Sequence, residues 1–407
     1  MPSNIPPASE RGSEPVLSAA LTWLLASACG IVVANLYFAQ PLAGPIGQSL
    51  GMSPHATGLI VTLTQLGFVS GLLFIVPLGD LIETRRLAVT LVGCVAVAAL
   101  AAGLSSGPVV FLAASFAMGL SAVVAQVLVP YAAHLAPLER RGAAVGNVMG
   151  GLMVGIMMAR PVASFIAGAG SWHWVFFLSV ASLVILAIVL ARLLPPRHPE
   201  ARISYGALIG SMGRLALTNR VLQRRALYHA AMFGAFSLFW TVIPLRLAGP
   251  DFGLGQGGIG LFALAGVAGA IASPIAGRMA DRGWTRPATA VSMLAVVVAF
   301  LISHVGVPGS TVSLGLNVFA AILLDFGVTT NLVLGQRAIF ALGTAERSRI
   351  NGLYIGIFFL GGAAGSAIGG WAFAEGGWLL ASAIGAALPI AALLYFATER
   401  KPHGAAR

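Results

Sequence analysis

The sequence predicts an all-α membrane protein with twelve transmembrane helices in two pseudo-symmetric six-helix halves. Three observations carry that prediction. Only 9% of the 407 residues are charged and 58% are apolar, with a mean hydropathy of +0.93; soluble domains carry roughly a quarter charged residues. The apolar residues fall in twelve runs between short polar loops, each long enough to cross ~30 Å of hydrocarbon at about 1.5 Å per residue. Finally, a glycine-rich stretch in the first half of the chain returns in the second.

Residues 1–16 (MPSNIPPASERGSEPV) form a Pro- and Ser-rich tail. The run after it is too long for a signal peptide's apolar core and reads as a retained first span. Spans are expected near 17–40, 56–78, 87–106, 108–132, 143–168, 174–192, 226–247, 258–277, 288–305, 310–334, 351–373 and 378–397. Residues 17–194 then form an N-terminal bundle and 226–397 a C-terminal one. Residues 195–225 are a central loop and 398–407 a tail. None of the runs shows the alternation of barrel strands.

Charge sets the orientation. With both termini in the cytoplasm, 21 of the 23 basic residues lie on that side, as the positive-inside rule requires. The exceptions are Arg160, inside span 5, and Arg246, at the outer end of span 7, where Asp251 is a candidate surface partner. The net charge of +11 therefore encodes topology and leaves nothing for a nucleic-acid partner. Within the central loop, 203–217 reads either as a basic amphipathic helix on the anionic leaflet or as a linker whose arginines only fix topology. Cys29 and Cys94 sit in separate apolar runs and are expected to pack in the core.

The repeated stretch runs from Glu139 to Gly168, with Gly146 four before Gly150, Gly151 four before Gly155, and Ala159 beyond. Small residues four apart let helix backbones approach closely in a bilayer. From Glu346 the pattern recurs. With one gap and an offset of 206, Gly146, Gly150, Gly155 and Ala159 fall on Gly352, Gly356, Gly361 and Gly365, and Arg160 falls on Ser366. All these glycines are expected to pack helices.

Polar residues follow a period of three spans. Apart from Arg192 at the very end of span 6, spans 3, 6, 9 and 12 lack Asp, Glu, Asn, Gln, Lys and Arg, as suits lipid-facing helices. Spans 1, 4 and 10 carry Asn35, Gln40, Gln126, Asn317, Asp325 and Asn331, and span 7 has His229 and Trp240; these are expected to face a wet centre. Tyr37 and Tyr131 would add aromatic wall to it. Trp172 and Trp174 read as interface anchors. Two similar halves with this alternation are a transporter-like plan, its site near midplane between the halves.

On these residues the chain resembles the major facilitator superfamily, and most closely its twelve-span bacterial sugar- and drug-efflux permeases. The resemblance covers essentially everything after residue 16. The family's loop signature, a Gly with an Asp four later and then basic residues, stands as Gly277, Asp281, Arg282 and Arg286. In the first half Asp80 is present, but Val76 and Leu81 replace the Gly and Arg, with Glu83, Arg85 and Arg86 following. The role implied is a cytoplasmic latch, with Asp80 or Asp281 near a helix N-terminus or an arginine of the other half. The family's antiporter signature, a glycine ladder ending in Gly-Pro, is matched at Gly155. Ala159 and Arg160 then stand at Gly-Pro, and Pro161 comes one later. Ser115 stands where the family usually has an arginine in span 4. The resemblance implies the bacterial cytoplasmic membrane, a monomer, a small-molecule substrate and no cofactor beyond a proton gradient.

Two charges are clearly intramembrane. A charge there costs at least ~3 kcal/mol on insertion scales, so function is the default reading. Asp325 is the candidate for proton coupling or cation recognition, because a carboxyl withdrawn from water is disposed to hold a proton; a structural carboxyl capped by Asn331 or a serine is the alternative. Arg160 is expected in the outer half of its helix and Asp325 in the inner half, about 10 Å apart along the normal at ~1.5 Å per residue. A direct ion pair is therefore not expected.

Absent motifs fix the class. There is no G-x-x-x-x-G-K-[ST], no H-E-x-x-H and no C-x-x-C, so ATP hydrolysis is not supported and no metal site is expected, and a single intramembrane acid disfavours a two-acid hydrolase. The leading expectation is a secondary transporter exporting a drug-like or sugar-like compound by proton antiport. An uptake symporter or uncoupled facilitator is the alternative, and a receptor or enzyme on the same scaffold is the reading from another class.

Overall fold

A computed structural model of the chain describes residues 17–137, 140–198, 204–342 and 347–399. The N-terminal tail, Glu139, Arg202, Glu346 and the basic residues of the C-terminal tail lie outside the described residues. Every regular element among the described residues is helical. The first half holds α1 (Ala19–Ala34), α2 (Ala43–Ser49), α3 (Leu59–Phe74), α4 (Thr84–Gly103), α5 (Pro108–Ser121), α6 (Val124–Leu135), α7 (Arg141–Ala169) and α8 (His173–Leu193). After α9 (Tyr205–Thr218), the second half holds α10 (Arg220–Ala248), α11 (Gln256–Ala263), α12 (Gly269–Asp281), α13 (Thr285–Ile302), α14 (Thr311–Phe340) and α15 (Arg347–Ala397).

Among the described residues, ten helical stretches are long and apolar enough to cross a membrane. The last, α15, is two spans joined where Gly376 and Gly377 leave the helical region, Gly377 at φ +58°, a conformation that costs glycine little. Together with α1 and its continuation, the described residues thus supply the twelve expected crossings. Helix starts follow local chemistry. Ser18, Ser204, Asn219 and Ser310 each accept a backbone N–H of the first turn of α1, α9, α10 and α14, as N-caps do, and Pro108 opens α5.

Three spans are not the single helices expected. Span 1 ends as a helix at Ala34, and residues 35–42 form successive turns in which Leu36 and Tyr37 donate to Val33 and Ala34, both at 3.0 Å, before α2 resumes. Span 4 divides into α5 and α6. Span 8 passes through a tighter 3₁₀ segment, Leu264–Ala268, between α11 and α12. Hydropathy counts apolar residues and is blind to these breaks, all of which shape the centre of the molecule or its approaches.

The glycine repeat divides by function. A Cβ on Gly155 would lie 2.5 Å from the Gly30 Cα, and one on Gly151 2.6 Å from the Ala26 carbonyl carbon, so α7 rides directly on the α1 backbone. In the second half a Cβ on Gly361 would lie 2.8 Å from the Ala230 Cα, and one on Gly365 2.7 Å from the Gly234 Cα, so α15 rides on α10 in the same way. Gly146, Gly150, Gly352 and Gly356 touch nothing within 4 Å at that position, against the expectation that they pack helices. A helix presents about a third of its circumference to a partner, and the alternate glycines fall outside that arc. Gly146 and Gly150 instead line a groove of ≈ 860 Å³ on the perimeter, beside the exposed side chains of Trp23, Val154 and Val162.

The halves meet along two seams. On one, α3 lies against α15: a Cβ on Gly370 would be 2.8 Å from Gly58 Cα and N, Thr62 Oγ1 is 2.8 Å from Ser366 Oγ, and Phe68 meets Phe359 with ring centroids 4.6 Å apart. On the other, α7 meets α11, where a Cβ on Gly168 would stand 3.3 Å from the Gly257 nitrogen and one on Gly260 3.1 Å from the Ser164 Cβ. His55 and Glu375 close the end of the first seam at 2.9 Å. These contacts gather on the face opposite the central segment. On the central-segment face the bridge is α9. Its Leu208 and Met212 are buried, Tyr205 Oη donates to the Phe74 carbonyl, and Arg349 Nη1 donates to Ser211 Oγ at 2.8 Å. The helix that one reading of 203–217 expected does form, but it packs across the ends of spans 2 and 11, which neither reading foresaw.

Exposed apolar side chains fall on the spans where polarity is missing. Val97, Ile185, Val291 and Leu394, from spans 3, 6, 9 and 12, are all exposed. Cys29 is buried, whereas Cys94 is exposed on α4 and is not a core residue. Trp172 is also buried, edge-on to Phe111 and Phe176, and is not an interface anchor, while Trp174 is exposed as one would be.

Candidate functional site

The two intramembrane charges lie at the junction of the halves, 3% and 4% exposed for Arg160 and Asp325. Arg160 stands immediately before Pro161 in α7. The broken part of span 1 supplies its first partners: the Nε donates to Gln40 Oε1 at 2.8 Å, and the guanidinium lies 5.1 Å from the Tyr37 ring centroid. α10 supplies the rest, with the rings of Phe236 and Trp240 centred 5.1 and 4.6 Å away. These two are four residues apart on one helix face. A cation among three rings gains roughly 2 kcal/mol or more per good contact when desolvated. One guanidinium nitrogen, Nη2, is buried with no hydrogen-bond partner.

Asp325 comes from the middle of α14. Its Oδ1 accepts a hydrogen bond from Trp240 Nε1 at 2.8 Å, so a single tryptophan both caps the arginine of one half and holds the carboxylate of the other. The 3₁₀ segment of span 8 forms the wall beside them. A Cβ on Gly266 would lie 3.0 Å from Asp325 Oδ2, 3.3 Å from the Trp240 ring and 3.7 Å from Arg160 Nη1. Both charges thus approach the same point, closer together than the ~10 Å of axial offset the sequence suggests, because a helix-residue count ignores tilt and the reach of an arginine. No ion pair joins them.

The other residues expected at this centre are distributed differently. Asn35 is buried in the first half, accepting from Ser179 Oγ at 2.6 Å and donating to the Ile31 carbonyl. Gln126 is half-buried near the loop face in a cavity of ≈ 80 Å³, together with Asp80, Arg197 and, from the other half, Arg349. Tyr131 donates to the Pro195 carbonyl at 2.6 Å. Asn331 is paired with His229 Nδ1 at 3.3 Å, leaving His229 Nε2 buried without a partner, and does not cap Asp325. Asn317 accepts from Arg246 Nη1 at 2.9 Å. Arg246 is itself buried, 4.7 Å from the Trp378 ring centroid, and forms no ion pair with Asp251.

The latch residues also pair locally. Asp281 ends α12, at its C-terminus, and is bridged by Arg337 of the same half, which also donates to the Gly277 carbonyl at 2.8 Å. Arg286 Nη2 donates to the Glu399 carbonyl at 2.7 Å, Arg282 lies 6.0 Å from the Trp284 ring centroid, and Arg85 sits 3.5 Å from Glu83. For Arg86 no partner is described. Phe236 escaped the sequence reading, although its four-residue spacing from Trp240 was a visible signal. The Gln65 to Ser237 hydrogen bond across the halves, 2.8 Å, left no such trace.

Twelve crossings in two halves related by an internal repeat, meeting around buried charges, have the plan of a membrane transporter. The chain belongs to the Major Facilitator Superfamily, whose sequence profile matches residues 22–234 and again 226–407. It is 38% identical to the uncharacterized transporter YgaY of Escherichia coli O157:H7 over 378 residues, covering 93% of this chain and 95% of that one. It is 31% identical to the probable transporter SCO4007 of Streptomyces coelicolor, covering 87% and 82%. Among solved structures it shares its fold with the nucleoside transporter NupG (TM-score 0.73, 15% identity, covering 93% of this chain and 99% of that one). A bacterial homologue of the human lysosomal transporter Spinster, inward-facing and unoccupied, gives a TM-score of 0.72 at 14% identity, covering 97% and 100%.

Proposed function

We propose that this transporter exports a small organic compound by proton-linked antiport, alternating access between the two sides of a bacterial cytoplasmic membrane as a monomer with both termini inside. The observation that carries the reading is the shared tryptophan. Trp240 donates to Asp325 and covers Arg160, so the state of one carboxyl bears on a contact that spans the halves. An ionised Asp325 holds the indole N–H through a charge-assisted hydrogen bond, about twice as strong as a neutral one. A proton on Asp325 weakens that bond, frees the indole and loosens the arginine cage. With the termini inside, the close contacts on the face opposite α9 lie on the outer side, and release of the cage is the step toward outward opening. The positive-inside distribution supports the orientation.

The departure from Gly-Pro at Ala159 and Arg160 favours a second reading, uptake symport or uncoupled passage. Purified protein in liposomes with a trapped pH-sensitive dye separates them, using gradients of cationic dyes, sugars, nucleosides and amino acids. Antiport predicts proton movement opposite to substrate, lost in Asp325→Asn. Movement in the same direction means symport, and substrate flux without proton movement in wild type and variant alike removes Asp325 from the mechanism.

A further inference from the structure

The central charges carry a statement about substrate chemistry, which rests on reading this centre as the transport site. Arg160 and Asp325 come from opposite halves, are both more than nine-tenths buried, and are not paired with each other. Each has an unspent group. Arg160 Nη2 is buried without an acceptor, and Asp325 engages Trp240 through Oδ1 only, with Oδ2 turned to the Gly266 wall. Buried opposite charges held close but apart ask for a bridge with the reverse polarity.

We infer that the substrate is an α-amino-acid zwitterion, its carboxylate taken by Arg160 and its ammonium by Asp325. The fit is one of charge and placement. An α-amino acid carries both charges on one carbon, and Arg160 Nη1 and Asp325 Oδ2 converge on one point beside Gly266, whose Cβ position lies 3.7 and 3.0 Å from them. The arginine fork suits a planar carboxylate. Other classes fit less well. A neutral sugar or nucleoside leaves both charges without a countercharge. A lipophilic cation leaves Arg160 unanswered and adds a like charge beside it. A simple carboxylate satisfies Arg160 but confronts Asp325 with repulsion unless that group takes up a proton. Because the two ligands of the zwitterion sit on different halves, binding it draws the halves together, as alternating access requires.

The test uses the full chain purified in detergent, with unfolding followed by tryptophan fluorescence against each of the twenty standard L-amino acids. For any that stabilises, its deaminated acid and decarboxylated amine are titrated beside it. The expected result is a raised melting temperature with one or more amino acids and at least about tenfold weaker binding of both analogues, the size of a hydrogen bond to a charged group. Asp325→Asn should bring the zwitterion and its deaminated acid to within about threefold of each other, and Arg160→Gln should abolish both, with ligand-free melting of each variant reporting its fold. No shift with any of the twenty overturns the inference, as does an analogue binding as well as its parent. Those wild-type comparisons stand even if a variant fails to fold. A sugar, nucleoside or dye transported in the liposome assay also overturns it while leaving proton-linked transport intact. An amino acid moved without protons does the reverse.

Discussion

Gly155→Ala is expected to be among the more damaging single-methyl additions in the protein, and Gly150→Ala, little more than one turn away, to be harmless. The new Cβ at 155 would lie 2.5 Å from the Gly30 Cα and 2.6 Å from its carbonyl carbon. Carbon atoms in contact rest near 3.5–4.0 Å, so α1 and α7 must part by about 1 Å. Nothing flexible can yield, because the obstructing atoms are backbone. Moving two packed helices apart by that much forfeits a quarter to a half of each contact's dispersion well along the seam, and overpacking of this kind costs roughly 1–3 kcal/mol. At position 150 the same methyl meets nothing within 4 Å, and the helix gains about 1 kcal/mol of intrinsic propensity from losing a glycine. Thermal unfolding in detergent micelles should therefore lower the melting temperature for Gly155→Ala and leave it level or raise it for Gly150→Ala. The second half provides an independent copy, with Gly361→Ala following the first pattern and Gly356→Ala the second. Equal effects within either pair would refute the assigned faces of α7 and α15.

Three other outcomes follow from polar contacts. Asn317→Ala strands Arg246 Nη1 beside the Ser303 carbonyl alone and should cost about 2–3 kcal/mol, read as lost thermal stability, whereas Asn317→Asp should retain most of it. Thr62→Val and Ser366→Ala, singly and together, should show a coupling of roughly 0.5–1.5 kcal/mol in a double-mutant cycle; additive effects would mean that the 2.8 Å contact contributes nothing. His304, just past α13, is held below its ordinary value by burial and by the nearby Arg246 charge. The unfolded chain then binds more protons there, so the contribution of a neutral His304 is present above pH ~6.5 and lost as pH falls below it. His304→Gln, which keeps a polar group for Ser382, should flatten the acid side of the melting profile relative to wild type.

The twelve crossings, the halves and the exposed apolar spans were legible because each depends on averages of hydropathy over many residues. The repeat located Gly155, Gly361 and Gly365 as contacts, but spacing alone could not tell which arc of the helix would meet a partner, and Gly146 and Gly150 fell outside it. Arg160 and Asp325 were conspicuous as charges in apolar runs. Their separation was not legible, since it depends on helix tilt, on the turns of residues 35–42 and on the tighter passage at 264–268. Asn35, Asn317 and Asn331 show the opposite limit. Composition marked them as polar in the membrane, yet each satisfies its amide on a neighbouring helix of its own half, and only the packing identifies that neighbour.

The meeting of Gly58 with Gly370 has a mechanical meaning. Cα and nitrogen of one chain segment face Cα and nitrogen of another, with no side chain between them. A joint padded by leucines can creep, each rotamer giving a little as the load shifts. Bare backbone has no such slack: displaced by an ångström or two, it loses its contact and has nothing longer to reach with. The seam therefore behaves as a catch that is either seated or free, and a catch of that kind suits a carrier that must never be ajar to both sides at once.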